Sequence, residues 1–404
     1  MNTFFVRFLI TFLLISTQQN SIAQSKTVLP KYSIKKVNTN VYIFTELWKH
    51  DNNGNMGIVI GDNGVLIINT LMLNSAKALE SEIKKITKKP IKYVINSDSD
   101  LFNYHANNYF KDKGALIISH KNLKYSTPNT DLLFTDEISI PLGNEIVTAY
   151  HTKAHTLDHI DIHLKKSNII FMGDGFKGHW LTYTGPNGTK GVIEGIDKAL
   201  SLSNEKTIIV SGNTSKNEKY FLNNKSDLKK NRKLYLNFSK RVGELHNEGL
   251  TIEEISIDKK IHEITKPLEA YSKFNKYLYA FIAHIIEVDF TKDFSLNKNQ
   301  LLAFTGIYNL DSKRQIEIIF ENEKLIAREK GTFLFELAAV SLTKFDFKGN
   351  TGFRGTSNKD DYIEFQLSNN GDILSLKPFL KKDNLWYNVI ATGQYLKQIN
   401  KSNE

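Results

Sequence analysis

Histidines and aspartates supply the side chains in this sequence that could bind a metal ion or transfer a proton. His151, His155, His159 and His163 recur every four residues, a spacing that would align four imidazoles on one face of a helix. However, apolar and polar residues alternate over residues 160–164, which is typical of a strand. We therefore expect the regular spacing to be accidental.

Two aspartates, Asp98 and Asp100, alternate in a polar loop between a predicted strand and a predicted helix. A third, Asp174, follows an apolar stretch further along the chain. A metal site built mainly from carboxylates would favour Mn²⁺, Mg²⁺ or Ca²⁺ over Zn²⁺. Alternatively, Asp98 and Asp100 are ordinary loop residues that cap the next helix. The residue types leave both interpretations open.

The spacing of apolar residues divides the chain into parts. The first part mixes hairpins with strand–helix–strand units, which predicts a layered α/β domain with mixed sheets. A stretch of helical period follows, and the last part alternates apolar and polar residues as antiparallel strands do. The predicted parts are a signal segment at 1–23, an α/β domain at 24–225, its helical extension at 226–290, a linker at 291–300 and a small β-barrel domain at 301–395.

The N-terminus has the pattern of a secretory signal. Arg7 precedes an apolar run over residues 8–15, and the small-x-small sequence Ser21-Ile22-Ala23 precedes Gln24. The apolar run is too short to span a bilayer as a helix. We expect an exported bacterial protein, periplasmic or secreted, whose mature chain begins near Gln24 and has no transmembrane anchor.

Composition excludes further classes of site and partner. The sequence contains no cysteine, which excludes disulfides and cysteine-bound metals. The formal net charge is +10, but the lysines are scattered along the whole chain. We therefore expect no nucleic-acid partner.

The loop around Asp98 and Asp100 resembles a motif of the metallo-β-lactamase superfamily, in which a His-x-His-x-Asp-His run follows a strand and precedes a helix. Further similar segments are Asn96, Asn107, Tyr109 and Phe110 around the loop, Ala154-His155-Thr156, Phe171-Met172-Gly173-Asp174 and Val210-Ser211-Gly212-Asn213. The resemblance covers about residues 38–290. It implies a four-layer αββα sandwich with a pocket at one edge.

The same resemblance implies that most zinc ligands are replaced. Asp98 and Asp100 stand at two histidine positions, Phe102 and Asn103 at an Asp-His pair, and Asn213 at a final histidine; only His155 and Asp174 match. Because a phenyl ring cannot bind a metal and amides bind zinc poorly, we expect no two-zinc centre.

A single divalent cation (Mn, Mg, Ca or Zn) held by Asp98, Asp100, His155 and Asp174 is the alternative that these donors allow, and Lys177 could instead replace the cation. The residues expected to line the pocket are Phe102, Asn103, His159, Lys177, His179 and Asn213.

The C-terminal part, which includes Phe304-Thr305-Gly306-Ile307-Tyr308, resembles the small β-barrel appended to some secreted bacterial serine hydrolases. Three functional hypotheses follow. The first is a hydrolase-like exported protein, catalytically impaired, that binds a small-molecule or envelope ligand. The second is an active single-metal hydrolase in which Asp174 and His155 are catalytic. The third is a structural protein with a vestigial pocket that contacts a protein partner through its barrel.

Overall fold

A computed structural model describes most of the chain. The described residues are 32–46, 53–125, 129–178, 180–214, 222–268, 274–291, 294–309, 315–329, 333–348, 362–379 and 396–400. The predicted signal segment 1–23 and the predicted pocket residue His179 lie outside them.

Within these residues the first sheet has eight strands: β1 Tyr32–Lys36, β2 Val41–Glu46, β3 Asn53–Gly61, β4 Gly64–Ile68, β5 Ile91–Ile95, β6 Leu116–His120, β7 Leu132–Phe134 and β13 Asn213–Thr214. The first seven lie side by side in chain order, and β13 pairs with β3. The first four pair antiparallel, whereas β4 to β7 are parallel. The predicted hairpin at 57–68 is formed by β3 and β4.

The second sheet has six strands in the described chain: β8 Glu137–Pro141, β9 Ile146–His151, β10 Ile160–Leu164, β11 Ile169–Phe171, β12 Ile208–Val210 and β14 Leu222–Asn223. Their spatial order is β14-β12-β11-β10-β9-β8. Only the β11–β12 pair is parallel among these described strands, because a helix connects β11 to β12.

The α-helices of the described residues are α1 Ala76–Ile86, α2 Leu101–Tyr104, α3 Asn107–Lys111, α4 Gly188–Leu202, α5 Lys225–Asn247, α6 Ile252–Ser256, α7 Lys259–Thr265, α8 Phe274–Ile285 and α9 Lys298–Ala303. Short 3-10 helices cover Leu73–Ser75, Lys121–Tyr125, Gly173–Gly175, Gly185–Asn187 and Lys266–Leu268, and a π-helix covers Ile286–Phe290. A capping box of Thr251 and Glu254 is present at the start of α6.

Three buried clusters hold the layers together. One lies between the two sheets and includes Val59 and Ile162. A second lies between the first sheet and α1, where Ile67 packs near Leu79. The third joins the outer face of the second sheet to α4, α5 and the helical extension, and includes Ile196. Helices therefore cover both outer faces, and the predicted αββα sandwich is confirmed.

The C-terminal strands close into a barrel: β15 Gly306–Asn309, β16 Gln315–Glu321, β17 Lys324–Glu329, β18 Phe333–Ala339, β19 Lys344–Phe347, β20 Tyr362–Leu367, β21 Ile373–Phe379 and β22 Leu396–Asn400. Buried residues alternate with less buried ones in β19 and at the start of β20, and in the interior Phe304, Phe345 and Phe365 pack with ring centroids 4.7–5.5 Å apart. The predicted antiparallel barrel is thus confirmed. Its resemblance to hydrolase appendages and its predicted boundaries stay predictions.

The region predicted as a linker contains some ordered structure. Phe294 N–H donates to the carbonyl of Ala339 at 2.7 Å, and α9 begins at Lys298. The barrel also contacts the sandwich, since Lys121 Nζ donates to Glu321 Oε1 at 2.9 Å.

Among the described helices, we find none with the length and apolar character needed to cross a membrane.

Candidate metal-binding pocket

The loops that carry the candidate ligands lie together beside the ends of four strands. Residues 96–100 follow β5, residues 152–159 join β9 to β10, residues 172–178 follow β11, and residues 211–212 follow β12. Because the ends of strands in both sheets meet here, side chains distant in sequence converge. These loops are the ones predicted to build a pocket at one edge of the sandwich, and that pocket stays a prediction.

Glycines allow the loops to approach closely at Asp174. Gly173 has φ of +48°, and a Cβ atom there would lie 2.8 Å from the Cβ of Ser97. Gly212 N–H donates to the Gly173 carbonyl at 2.6 Å, and a Cβ on Gly212 would lie 2.4 Å from Asp174 Oδ1. A larger residue at Gly212 would therefore displace the Asp174 carboxylate, and one at Gly173 would displace the Ser97 side chain.

Three side chains form a group with metal-ligand geometry. One ligand atom each of Asp100, His155 and Asp174 lies within 4.8 Å of the other two. Ligands of a single Ca²⁺ or Mn²⁺ ion are at most about 4–5 Å apart, so these atoms are close enough to share one ion. Asp174 and His155 are buried, whereas 38% of the Asp100 side chain is exposed.

The ring of His155 is oriented by a backbone group. His155 Nδ1 is 2.8 Å from the carbonyl oxygen of Tyr183, and since a carbonyl only accepts, Nδ1 carries the proton. His155 Nε2 then faces Asp100 Oδ2 at 3.3 Å. Burial alone would lower the pKa of His155, but the carboxylates of Asp100, Asp174 and Asp98 hold it above its ordinary value. The arrangement is that of a metal-binding histidine supported by a carbonyl.

The Asp174 carboxylate has partners from the protein on both oxygens. Asn213 Nδ2 donates to Asp174 Oδ1 at 3.1 Å, and Lys177 Nζ lies 3.9 Å from Asp174 Oδ2. The hydroxyl of Thr182 donates to the backbone carbonyl of Asp174. Burial raises the pKa of Asp174, although Lys177 opposes this shift. Two predicted pocket residues, Lys177 and Asn213, therefore contact the candidate ligand Asp174.

Asp98 is not part of the three-residue group. It is fully buried, and Asp98 Oδ1 accepts from Asn103 Nδ2 at 2.5 Å and from the Asp100 N–H at 3.0 Å. Ser97 Oγ donates to Asp98 Oδ2 at 2.9 Å. Burial would raise the pKa of Asp98, but His159 and other neighbours hold it well below its ordinary value. Asp98 as a fourth ligand stays a prediction.

His159 lies behind the pocket between two carboxylates. Its Nδ1 is 3.6 Å from Asp98 Oδ2 and its Nε2 is 3.4 Å from Asp161 Oδ1, and all three side chains are buried. Although burial opposes the charged form, Asp161 and Asp98 raise the pKa of His159 to about 10. For Asp161, burial outweighs the neighbouring imidazolium and raises the pKa. The two carboxylates thus favour the charged form of the His159 ring, in which it would offset part of their negative charge.

The remaining predicted pocket residues and histidines lie in different elements. Phe102 is partly buried in α2, and Asn103 is engaged with Asp98. His151 ends β9 and stacks on His120 with ring centroids 3.9 Å apart. His163 lies within β10. The regular spacing of the histidines is therefore accidental, as expected.

Sequence reasoning missed the segment 180–184 and its partners. The N–H of Thr182 donates to the hydroxyl of Tyr235, and Thr184 Oγ1 is 2.8 Å from His284 Nε2. The Tyr183 ring lies 4.4 Å from the His284 ring and 5.8 Å from the His155 ring. No motif marks these residues, because their contacts join segments far apart in the chain.

The donor set fits one hard cation and does not fit two zinc ions. Asp100, His155 and Asp174 would supply two carboxylates and one imidazole, which leaves coordination positions for water or a ligand. The amides of Asn103 and Asn213 are bonded to carboxylates instead. A bound cation would polarise an oxygen atom of a ligand.

Comparisons with known proteins give structural matches alone. No family model matches the sequence, and no curated protein does. The chain is similar in structure to a metallo-β-lactamase from Pontibacter korlensis, at 16% identity over 51% of this chain and 100% of that one, with a TM-score of 0.44.

A double mutant of the sec-alkyl sulfatase PisA1 matches at 16% identity over 56% of this chain and 45% of its own, with a TM-score of 0.45. The DIM-1 metallo-β-lactamase matches at 16% identity over 52% and 98%, with a TM-score of 0.42. The sandwich is similar in fold to these proteins. At this similarity the matches say nothing about substrate or activity.

Proposed function

We propose that this protein is an exported, hydrolase-like binding protein that holds one divalent cation, and through it a small ligand, and that it has lost two-metal hydrolysis. The observation that carries the proposal is the group formed by Asp100, His155 and Asp174 within 4.8 Å. The carbonyl of Tyr183 supports it by keeping the proton on His155 Nδ1. Pre-orientation of this kind raises metal affinity.

Loss of two-metal hydrolysis is supported by what surrounds Asp174. Two-metal catalysis needs ions about 3.5–4 Å apart that clamp the attacking and leaving oxygens. Beside Asp174, the protein presents the Asn213 amide and the Lys177 ammonium group. Neither the amide nor the ammonium group can replace a second metal ion that would activate a bound nucleophile. The pocket is accordingly suited to hold a ligand more than to turn it over by that route.

A second candidate is a hydrolase that uses one cation. The exposure of Asp100 favours it, because 38% of that side chain is accessible to solvent, and water or a substrate can therefore reach the cluster. In this case His155 and Asp174 hold the reacting centre. The two candidates share the cation site and differ in turnover.

The test is a cation titration of chelator-treated full-length protein. Calorimetry with Mn²⁺, Ca²⁺ and Zn²⁺ should give about one equivalent per chain for the wild type. Asp174→Asn, which keeps the shape of the side chain and removes its charge, should weaken binding at least tenfold. Asp197→Asn, a carboxylate paired with Arg232 on the surface, is the matched control and should bind as the wild type does. Two equivalents of zinc, or no cation bound, would refute the proposal.

Turnover separates the two candidates. The cation-loaded protein and Asp174→Asn are incubated with ester, lactam, sulfate-ester and phosphate-ester substrates. Cation-dependent hydrolysis that Asp174→Asn abolishes would establish the single-cation hydrolase. Absence of turnover together with one bound cation would support the binding protein.

A further inference from the structure

The Tyr183 carbonyl that orients His155 lies in a stretch without regular structure. Residues 181–184 form neither helix nor strand. No ladder of backbone hydrogen bonds therefore sets the direction of this carbonyl. Its position depends on the groups that contact the stretch: the Tyr235 hydroxyl and the Asp174 carbonyl contact Thr182, and His284 contacts residues 183 and 184.

His284 of α8 contacts two consecutive residues of that stretch. His284 Nε2 is 2.8 Å from Thr184 Oγ1, and the rings of His284 and Tyr183 are 4.4 Å apart with their planes inclined by 32°. His284 is 2% exposed and lies between the buried residues Ile282 and Ile285. Because a buried polar group is costly unless it is hydrogen-bonded, the bond to Thr184 offsets part of the cost of burying His284.

We propose that His284 is a positioning residue for the candidate cation site. Through Thr184 and the ring of Tyr183 it fixes the Tyr183 carbonyl, and this carbonyl fixes the ring of His155. The effect of His284 on cation binding rests on the proposed function. Its effect on the orientation of His155 does not, because that orientation is a property of the cation-free protein as well. The helical extension thereby contributes to a pocket whose ligands all come from the sandwich.

The competing interpretation is that His284 only helps to pack α8. Phe281 provides the matched comparison, since it lies on the same helix and its ring is 6.2 Å from the Trp180 ring. Both residues stabilise the contact between α8 and residues 180–184. Only His284 reaches Thr184 and Tyr183 in the contacts described above.

The experiment uses the full chain and four variants. His284→Phe keeps an aromatic ring and removes the hydrogen bond, and Thr184→Val removes the same bond from the other side. His284→Gln keeps a polar atom near the place of Nε2, and Phe281→Leu is the packing control. The first readout is solvent exchange of the His155 Nδ1–H signal in cation-free protein with ¹⁵N-labelled histidine, assigned with His155→Gln. The second is Mn²⁺ affinity by calorimetry.

We expect His284→Phe and Thr184→Val to accelerate exchange of the His155 proton at least tenfold and to weaken Mn²⁺ binding roughly tenfold. His284→Gln should restore part of the slow exchange and part of the Mn²⁺ affinity. Phe281→Leu should change neither quantity, even where it lowers the melting temperature as much as His284→Phe does. Unchanged exchange in His284→Phe, or the same effect from Phe281→Leu, overturns the inference. If the wild type binds no Mn²⁺, the proposed function fails, and the exchange measurement still decides the role of His284.

Discussion

Lys177 Nζ lies 3.9 Å from Asp174 Oδ2, and both side chains are almost completely buried. Asn213 donates to the other oxygen of the same carboxylate at 3.1 Å. Asp174 therefore has an ammonium group and an amide beside it before any cation arrives. A divalent cation that binds Asp174 has to act against the positive charge of Lys177.

The first prediction is that Lys177→Met binds Mn²⁺ about tenfold more tightly than the wild type. Removing the ammonium group removes its repulsion of the cation, and tenfold corresponds to about 1.4 kcal/mol, modest for charges a few ångströms apart in a buried site. Calorimetric titration measures it. Lys190→Met, at a lysine that is 86% exposed, should leave the affinity unchanged. Weaker binding by Lys177→Met would show that the lysine supports the cation site.

The second prediction concerns stability without a cation. Repulsion among Asp98, Asp100 and Asp174 alone would make Asp174→Ala stabilising. The structure gives Asp174 a buried partner in Lys177, so the substitution removes a buried attraction and should cost about 3 kcal/mol. Adding Lys177→Met to Asp174→Ala should recover most of that loss. Denaturant unfolding of the wild type, both single variants and the double variant measures the coupling free energy between Asp174 and Lys177. Additive effects of the two substitutions on the unfolding free energy would argue against this pair.

The third prediction is a loss of stability at alkaline pH through His159. Because the folded protein raises the pKa of His159 from 6.5 to about 10, its contribution is complete below pH 6.5 and is lost as the pH rises towards 10. The difference in unfolding free energy between the wild type and His159→Gln should therefore shrink over that range.

His163 on β10 is the matched control for His159, since burial lowers its pKa. Its contribution is present when the ring is neutral and is lost as the pH falls below about 6.5. The difference between the wild type and His163→Gln should accordingly stay constant between pH 7 and 10. A constant difference for His159→Gln as well would contradict a buried imidazolium.

The fourth prediction concerns export. The sequence pattern of residues 1–23 predicts cleavage before Gln24. Mass spectrometry of protein from the periplasm or the medium should find a mature N-terminus at Gln24. A chain that keeps Met1 in the cytosolic fraction would contradict the expected localisation.

Much of the fold could be predicted from the sequence because its signals are local. The hairpin of β3 and β4 is marked by two apolar runs on either side of the turn residues Gly61-Asp62-Asn63-Gly64, and the end of the helix after it by Pro90. The close approaches at Gly173 and Gly212, in contrast, became evident only from the structure. The donor atoms available at Asp98, Asp100, Asn103 and Asn213 were likewise readable directly, since they depend on the side-chain type alone.

Only the tertiary structure decided which of the candidate ligands lie close together. Asp98 and Asp100 are two residues apart in a loop, where no fixed period sets side-chain direction. Asp98 turns inward to Asn103, and Asp100 turns to His155. The link between Thr184 and His284 joins residues 100 positions apart. Residue types and local periods follow from the sequence, whereas contacts across such separations exist only after the layers have packed.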